Sequence, residues 1–469
     1  MQNHSITNYT KIVEPAVGLC IVTSLSVWFT IINVPDSNPS LFLLFIMISV
    51  AVLYTARLFK NGNIVNPDCF INFLSIKVFF STLIYVLLWY KPLAAIGHLT
   101  FATQDEAGFQ DSMFYQFHAA IVSQLDFSEW LSASNVTWQS EGVVCYIAII
   151  NRLFGLDLYN VVIVNILLSY LGILQLCKIG DIGLLAKSHY LLVWPHTLYY
   201  DVPPGKEALT NFFLFYTIAV ASKLFVGSSR FKVNQLAKII IGLSFLSLIR
   251  VNVAILLILS IFFSVVVTRK KFVQPALILI LAALLVYLAF GGLLSVYLDS
   301  TFVNAGNASG SDGVQGGATK IQIATFLHWL SSFVGPFLSP VYAIVWLLSP
   351  LPNIGLDRMY SAFIDGDSYA QFTFGPYFFR VLSSIWIAKI VSNRRTWKYV
   401  GDRLKNCVDY KFLFIIASMF TLLIAYSNLV EGARYRVVVE PMIFVLCGSI
   451  TNRSRGFGEK LANLKSASI

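Results

Sequence analysis

The chain has 469 residues, of which 57% are apolar, 15% aromatic and only 12% charged, with a mean hydropathy of +0.73. So few polar groups cannot solvate a globule of this length, which excludes a soluble protein and leaves a polytopic membrane protein. The net charge of +10 does not point to nucleic acid, because Lys and Arg are confined to short segments between long apolar runs, the pattern that sets membrane topology.

Spanning a hydrocarbon core of about 30 Å takes roughly 20 residues of helix, and the runs are too long for barrel strands. The expected fold is an all-α polytopic bundle of about eleven to thirteen helices, residues 1–469 forming one membrane domain. The first span is expected at Ile12–Val34, with no cleavable leader preceding it. A second follows at Leu41–Ala56, closed by Arg57 and Lys60 on the cytoplasmic side. A third, about Phe70–Tyr90, carries Lys77 within it, either snorkelling or facing the bundle.

Residues 91–139 then form an outer loop holding the acidic pair Asp105 and Glu106. In it Phe109, Met113, Phe117 and Ile121 recur every four residues, which predicts an amphipathic helix either on the membrane surface or buried in a short packing role. Ser140–Gly180 reads as a short apolar run, then Arg152 to Gly155, then a full span, and a further run follows at Ile182–Tyr200, with Arg152, Lys178 and Lys187 among them. These three cations cannot all be cytoplasmic if every run crosses, so at least one run is expected to be partial. Ala208–Phe225 is a further span. Beyond it, about thirty apolar residues interrupted by Arg250 and Asn252 predict two short helices turning at Arg250.

A span at Phe272–Leu294, a flexible outer loop at 295–322 rich in Gly, Ser and Asn, and a Pro-broken segment Ile321–Leu351 follow. A second outer loop covers 350–376, and spans are expected at Pro376–Ile390, Phe412–Tyr426 and Val437–Ile450. The six cysteines have neither metal-ligand spacing nor a disulfide pattern and are read as small hydrophobes.

This topology gathers Asp105, Glu106, Asp201, Lys206, Glu207, Arg250, Glu431, Arg434 and Arg436 at the outer ends of helices. Single charges there serve as interfacial anchors or helix caps. As a set they have more specific chemistry: a carboxylate pair can take a proton from a hydroxyl or hold a divalent cation, and arginines can clamp a phosphate. Sugar transfer from a lipid phosphate needs that combination.

The order of these features resembles the GT-C superfamily of integral membrane glycosyltransferases, which includes lipid A aminoarabinose transferases and protein O-mannosyltransferases. The resemblance rests on Asp105-Glu106 ahead of an interfacial helix, GVVCYIAIINRLFG at 142–155, PPGKEALTNFFLFYTIAVASKLF at 203–225, Arg250 closing an apolar run, and EGARYRVVVEP at 431–441. Arg250 is followed by Val251, where that family frequently has Pro.

The resemblance implies catalysis by Asp105 with Glu106, the same pair holding any divalent metal. It further implies donor-phosphate binding by Arg250, Arg434, Arg436 and Lys206, supported by Glu207, Asp201 and Glu431. The implied substrates are a polyprenyl-phosphate-linked sugar and a glycan or lipid acceptor, at the outer face of a bacterial inner membrane. A polysaccharide polymerase or ligase would share the outer arginines. A lipid-linked sugar flippase would instead place ionisable residues near mid-membrane.

Overall fold

The computed structural model describes residues 2–35, 37–95, 111–134, 141–179, 188–203, 205–226, 233–268, 347–348, 360, 364–366, 368–427 and 433–447. The expected span at Phe272–Leu294, loop 295–322 and most of 321–376 fall outside them. The described residues form helices and turns with no strand. Seven helices among them are long and apolar enough to cross a membrane, so the chain is an integral membrane protein with several transmembrane helices.

In chain order the long helices are α1 (Gln2–Asn33), α2 (Leu41–Lys60) and α3 (Pro67–Leu83), which continues through a π-helical turn (Ile84–Tyr90) into α4 (Lys91–Ala95). Short helices α5 (Asp111–Val122), α6 (Trp130–Ser134) and α7 (Glu141–Phe154) lead to α8 (Leu158–Leu176). A 3-10 turn (Ser188–Val193) and α9 (Pro195–Tyr200) precede α10 (Glu207–Phe225) and α11 (Val233–Thr268). The described chain closes with α12 (Ser368–Val391), α13 (Arg394–Asn406), α14 (Val408–Ser427) and α15 (Ala433–Cys447).

The bundle has two chemically distinct ends. Helices α2, α8 and α10 finish, and α11 begins, beside Arg57, Lys60, Lys178, Lys223 and Lys238, which define a basic end. At the opposite rim the starts of α2 and α8 are tied together: Asp157 caps α8 by accepting from Tyr159 N at 2.7 Å, and its carboxylate also accepts from Ser37 Oγ at 2.9 Å. Asn160 Oδ1 accepts from Ser40 N at 2.9 Å, and Ser40 itself caps α2.

At 36 residues α11 would be about 54 Å long, too long for one crossing. It folds instead at Arg250, whose backbone leaves the helical region (φ −153°, ψ 90°). The second arm returns to the basic end. There Ser264 Oγ donates to Phe412 O at 3.3 Å, three residues past Asp409, which accepts from Ser222 Oγ near the end of α10 at 2.6 Å. The expectation of two short helices turning at Arg250 describes this element.

In lipid, apolar burial does not drive helices together, and close packing through small residues takes that role. A Cβ on Gly172 of α8 would lie 3.2 Å from Phe212 Cα on α10, and one on Gly242 of α11 would collide with Thr217 of α10. Aromatic and aliphatic side chains fill the rest, with Trp89, Trp194, Tyr85, Tyr159 and Tyr170 buried in the main core.

A second, smaller core at the rim joins Tyr115, Ala119 and Val122 of α5 to Trp130, Val143, Val144 and Ile147, and then to Leu209 and Ile249. Helix α7 has 14 residues and both its ends lie at the rim, Gly142 against Leu248 and Phe154 against Phe42. It therefore lies across the rim rather than spanning. This resolves the conflict over Arg152, which sits at the rim with its Nη1 donating to Leu125 O at 2.8 Å and its guanidinium over Phe127 and Trp130. Helix α5 packs through the Tyr115, Ala119 and Val122 face, while Ile121 of the apolar stripe read from sequence is 46% exposed.

Gly142 is where α7 closes on the fold of α11, since a Cβ there would stand 2.5 Å from Leu248 O. Gly142→Ala is expected to lower stability by about 1–3 kcal/mol through overpacking, read as a lower Tm of the purified protein.

At the basic end α13 carries Arg394, Arg395, Lys398, Arg403 and Lys405 and buries only Thr396 and Val400, the composition of a helix lying in the interface. Cys177 is buried, Cys20 is exposed and the other four cysteines are intermediate, all six as free thiols.

Candidate functional site

Residues 188–206 climb from the basic end to the rim without forming a continuous helix. They comprise a 3-10 turn, the six-residue α9 and irregular backbone at 201–203 and 205–206. Irregular backbone at membrane depth survives only when buried in protein or lining a polar cavity. This broken crossing is enclosed by α3, α8, α12 and α15, and it carries the polar groups that set it apart from a structural span.

The deepest is Asp201, whose Oδ2 accepts from Lys77 Nζ of α3 at 2.7 Å, both side chains 0% exposed. Lys77 stands about 15 Å of helix from the start of α3 at Pro67, so the pair is well inside the bundle. Sequence reasoning put Asp201 among the outer helix ends and left Lys77 between snorkelling and facing inward. The structure places both below the rim and against each other. The Asp201 carboxylate also interacts with the buried hydroxyl of Ser169 on α8. Beside it, Tyr146 Oη donates to Asn165 Oδ1 at 2.7 Å, and Asn165 Nδ2 donates to Pro203 O at 3.1 Å, fixing the turn that follows. Burial, with the neighbouring Asp201 charge, raises the Tyr146 phenol well above its usual value and keeps it a neutral donor.

Above this lies the second pair. Glu207 opens α10, where the helix dipole favours negative charge, and its Oε1 accepts from Arg250 Nη2 at 2.6 Å. Both residues are buried, and the fold of α11 presents Arg250 to Glu207. A Cβ at Gly205 would stand 2.7 Å from Glu207 Oε2, so a side chain there would push the carboxylate aside. Lys206 Nζ contacts Tyr115 Oη at 3.4 Å and lies 5.7 Å from the ring centroid, linking α5 to the same rim.

A third buried pair was not foreseen. His196 Nδ1 lies 3.0 Å from Glu440 Oε1 of α15, both fully buried, while Trp194 Nε1 donates to Glu440 Oε2 at 2.5 Å. His196 N donates to Ser383 Oγ of α12 at 3.1 Å, so α9, α12 and α15 are fastened together. The available signal was an ionisable residue inside each of two apolar runs.

Of the residues singled out from sequence, Asp201, Lys206, Glu207 and Arg250 thus gather along one path from the rim inward. Arg434 and Arg436 belong to the opening turn of α15, which starts at the rim, since Tyr410 near the start of α14 reaches Leu446 O at the other end. Asp105, Glu106 and Glu431 lie outside the described residues, as does the divalent-cation reading built on the first two. Among the described residues no group of three or more His, Cys, Asp and Glu side chains has metal-holding proximity.

Chemically, the rim offers a guanidinium with five donors held by one carboxylate, a lysine ammonium and a phenol hydroxyl, suited to an anionic group arriving from the bilayer. Beneath it, buried carboxylate, ammonium and phenol can orient a polar ligand. Comparison with protein-family models, with curated proteins and with solved structures finds no match to this chain.

Proposed function

We propose that the chain is a GT-C-like membrane glycosyltransferase that moves a sugar from a polyprenyl-phosphate donor to a glycan or lipid-linked acceptor. The observation that carries this reading is the Glu207–Arg250 pair at the fold of α11, at the same end of the bundle as the opening turn of α15 with Arg434 and Arg436. The basic end faces the cytoplasm by the positive-inside rule, which turns the rim toward the periplasm of a bacterial inner membrane.

In the proposed reaction the acceptor hydroxyl attacks the anomeric carbon, forming the new C–O bond as the bond to the phosphate oxygen breaks. Asp105, aided by Glu106, receives the hydroxyl proton. The electron pair leaves with the lipid phosphate, whose growing charge is met by Arg250, Arg434, Arg436 and Lys206. Glu207 holds the Arg250 guanidinium in place, and Asp201 and Glu431 support the polar lining. A divalent ion, where one is used, would be held by Asp105 and Glu106 and would supply Lewis-acid help.

The test is sugar transfer from a polyprenyl-phosphate donor in membranes holding equal amounts of wild type, Asp105→Asn and Arg250→Lys. Arg250→Lys keeps a cation against Glu207 while removing the bidentate fork. Transfer should fall about 10²-fold or more in Asp105→Asn and about tenfold or more in Arg250→Lys. Unchanged transfer in both variants rejects the reading.

A second reading is favoured by one observation: the Lys77–Asp201 ion pair and the His196–Glu440 contact are buried ionisable pairs on a broken crossing, a feature of coupled transporters and flippases. It predicts movement of the lipid-linked sugar between leaflets without a new glycosidic product, which the same membranes can be assayed for. A polysaccharide polymerase or ligase would give transfer to a growing chain instead.

A further inference from the structure

We propose that the basic end carries a binding site for the phosphate of an anionic membrane lipid, built from Tyr54 and Arg57 of α2, Lys178 beyond α8, Lys223 of α10 and Lys238 of α11. It lies at the opposite end of the bundle from the rim site and does not depend on the glycosyltransferase reading.

The argument begins with hydrogen-bond capacity. Lys178 Nζ donates to Tyr54 Oη and to Gln175 Oε1, the latter at 2.8 Å, and Gln175 Nε2 donates to the same Tyr54 Oη at 2.7 Å. A phenol oxygen accepts two hydrogen bonds and donates one. Both acceptor positions are taken, so the Tyr54 O–H points away from Lys178 and Gln175, and no described residue accepts it. The ammonium likewise has a third N–H beyond the two already used. The Tyr54 ring holds the ammonium from one side, 4.8 Å from its centroid. Among the described residues the niche therefore projects two donors, the Tyr54 O–H and the third Lys178 N–H.

Charge agrees with this. Burial lowers the Lys178 pKa to about 8, and the charges that lower it further are those of Lys223, Arg57 and Lys238. Arg57, Lys223 and Lys238 are exposed around the half-buried Lys178. The nearby carboxylate of Asp409 is engaged by Ser222 Oγ. Three cations from α2, α10 and α11 and one just past α8 outnumber the single nearby carboxylate, Asp409, among the described residues, and are complementary to a bound anion.

Position selects the source. Tyr54 belongs to the span Leu41–Lys60, less than two turns from its end, so its O–H and the Lys178 ammonium meet at the depth of the headgroup phosphates. A phosphodiester tethered there by its acyl chains needs no approach from bulk water, and basic pockets between transmembrane helices hold anionic headgroups through this chemistry.

The experiment titrates the full-length protein in detergent with phosphatidylglycerol or phosphatidylcholine and counts bound lipid by native mass spectrometry. Wild type should bind phosphatidylglycerol about tenfold or more tightly than phosphatidylcholine. Lys178→Ala and Tyr54→Phe should each weaken the anionic lipid about threefold to fivefold, while Lys60→Ala, at the same end but outside the niche, should not. Tyr54→Phe preserves the packing volume, so its loss of binding is readable even if Lys178→Ala folds poorly. Equal binding of the two lipids, or wild-type affinity in Tyr54→Phe, overturns the proposal. Displacement of phosphatidylglycerol by equimolar inorganic phosphate would overturn the lipid assignment and give the site to a soluble phosphate.

Discussion

Lys77→Met is expected to destabilise the purified protein by about 3–5 kcal/mol, because it strands the fully buried Asp201 carboxylate without its cation. Asp201→Leu should cost a similar amount by stranding Lys77. The double variant Lys77→Met, Asp201→Leu should recover most of the loss, since a buried pair replaced by apolar groups of like size is often neutral or better. Thermal unfolding of the four proteins gives the cycle directly. Additive losses would mean that the two side chains do not depend on each other. The same double variant separates the functional readings: if it folds well and still transfers sugar, the pair is structural. If it folds well and neither transfers nor flips the lipid, Asp201 acts on a ligand.

The second large effect is at the rim. Arg250→Ala should cost about 3–5 kcal/mol by leaving the buried Glu207 charge unpaired. It should also release the fold of α11, where the arms meet at Arg250. Glu207→Gln keeps the shape and an acceptor oxygen, so its loss should be smaller, about 1–3 kcal/mol. Melting temperature reads stability, and limited proteolysis near 248–252 reads the turn. A protein with Arg250→Ala that melts like wild type would show that the ion pair does not hold this end of the bundle.

Much of the membrane architecture was legible because its signal is strong and local. Runs of apolar residues bounded by Lys and Arg give α2, α8, α10 and α14 nearly as they stand, whereas α12 begins at Ser368, eight residues inside what reads as an outer loop, and the break at Arg250 was readable because a cation cannot continue a lipid-facing span. The region 140–207 resisted for a physical reason. An apolar run of 14 residues such as α7 has the composition of a span without its length, and whether it crosses depends on what Gly142 and Phe154 pack against.

The broken crossing hid for a related reason. Its residues are apolar enough to read as one helix, and the pairing of Lys77 with Asp201 joins residues 124 positions apart, which no periodicity reports. His196 and Glu440, 244 apart, were invisible in the same way. Lys206, Glu207 and Arg250 were identifiable as charges at helix ends, but the assignment of Glu207 to Arg250 needed the return of α11.

The central claim is that the rim receives the phosphate of a lipid-linked sugar. It is tested most directly by determining the structure of the full chain with a polyprenyl-phosphate sugar bound. The account predicts the phosphate within hydrogen-bond distance of the Arg250 guanidinium, beside Glu207 and the opening turn of α15, with the sugar toward Asp105. A phosphate bound only at the Lys178 end, or a sugar lodged away from both Arg250 and Asp105, would contradict it.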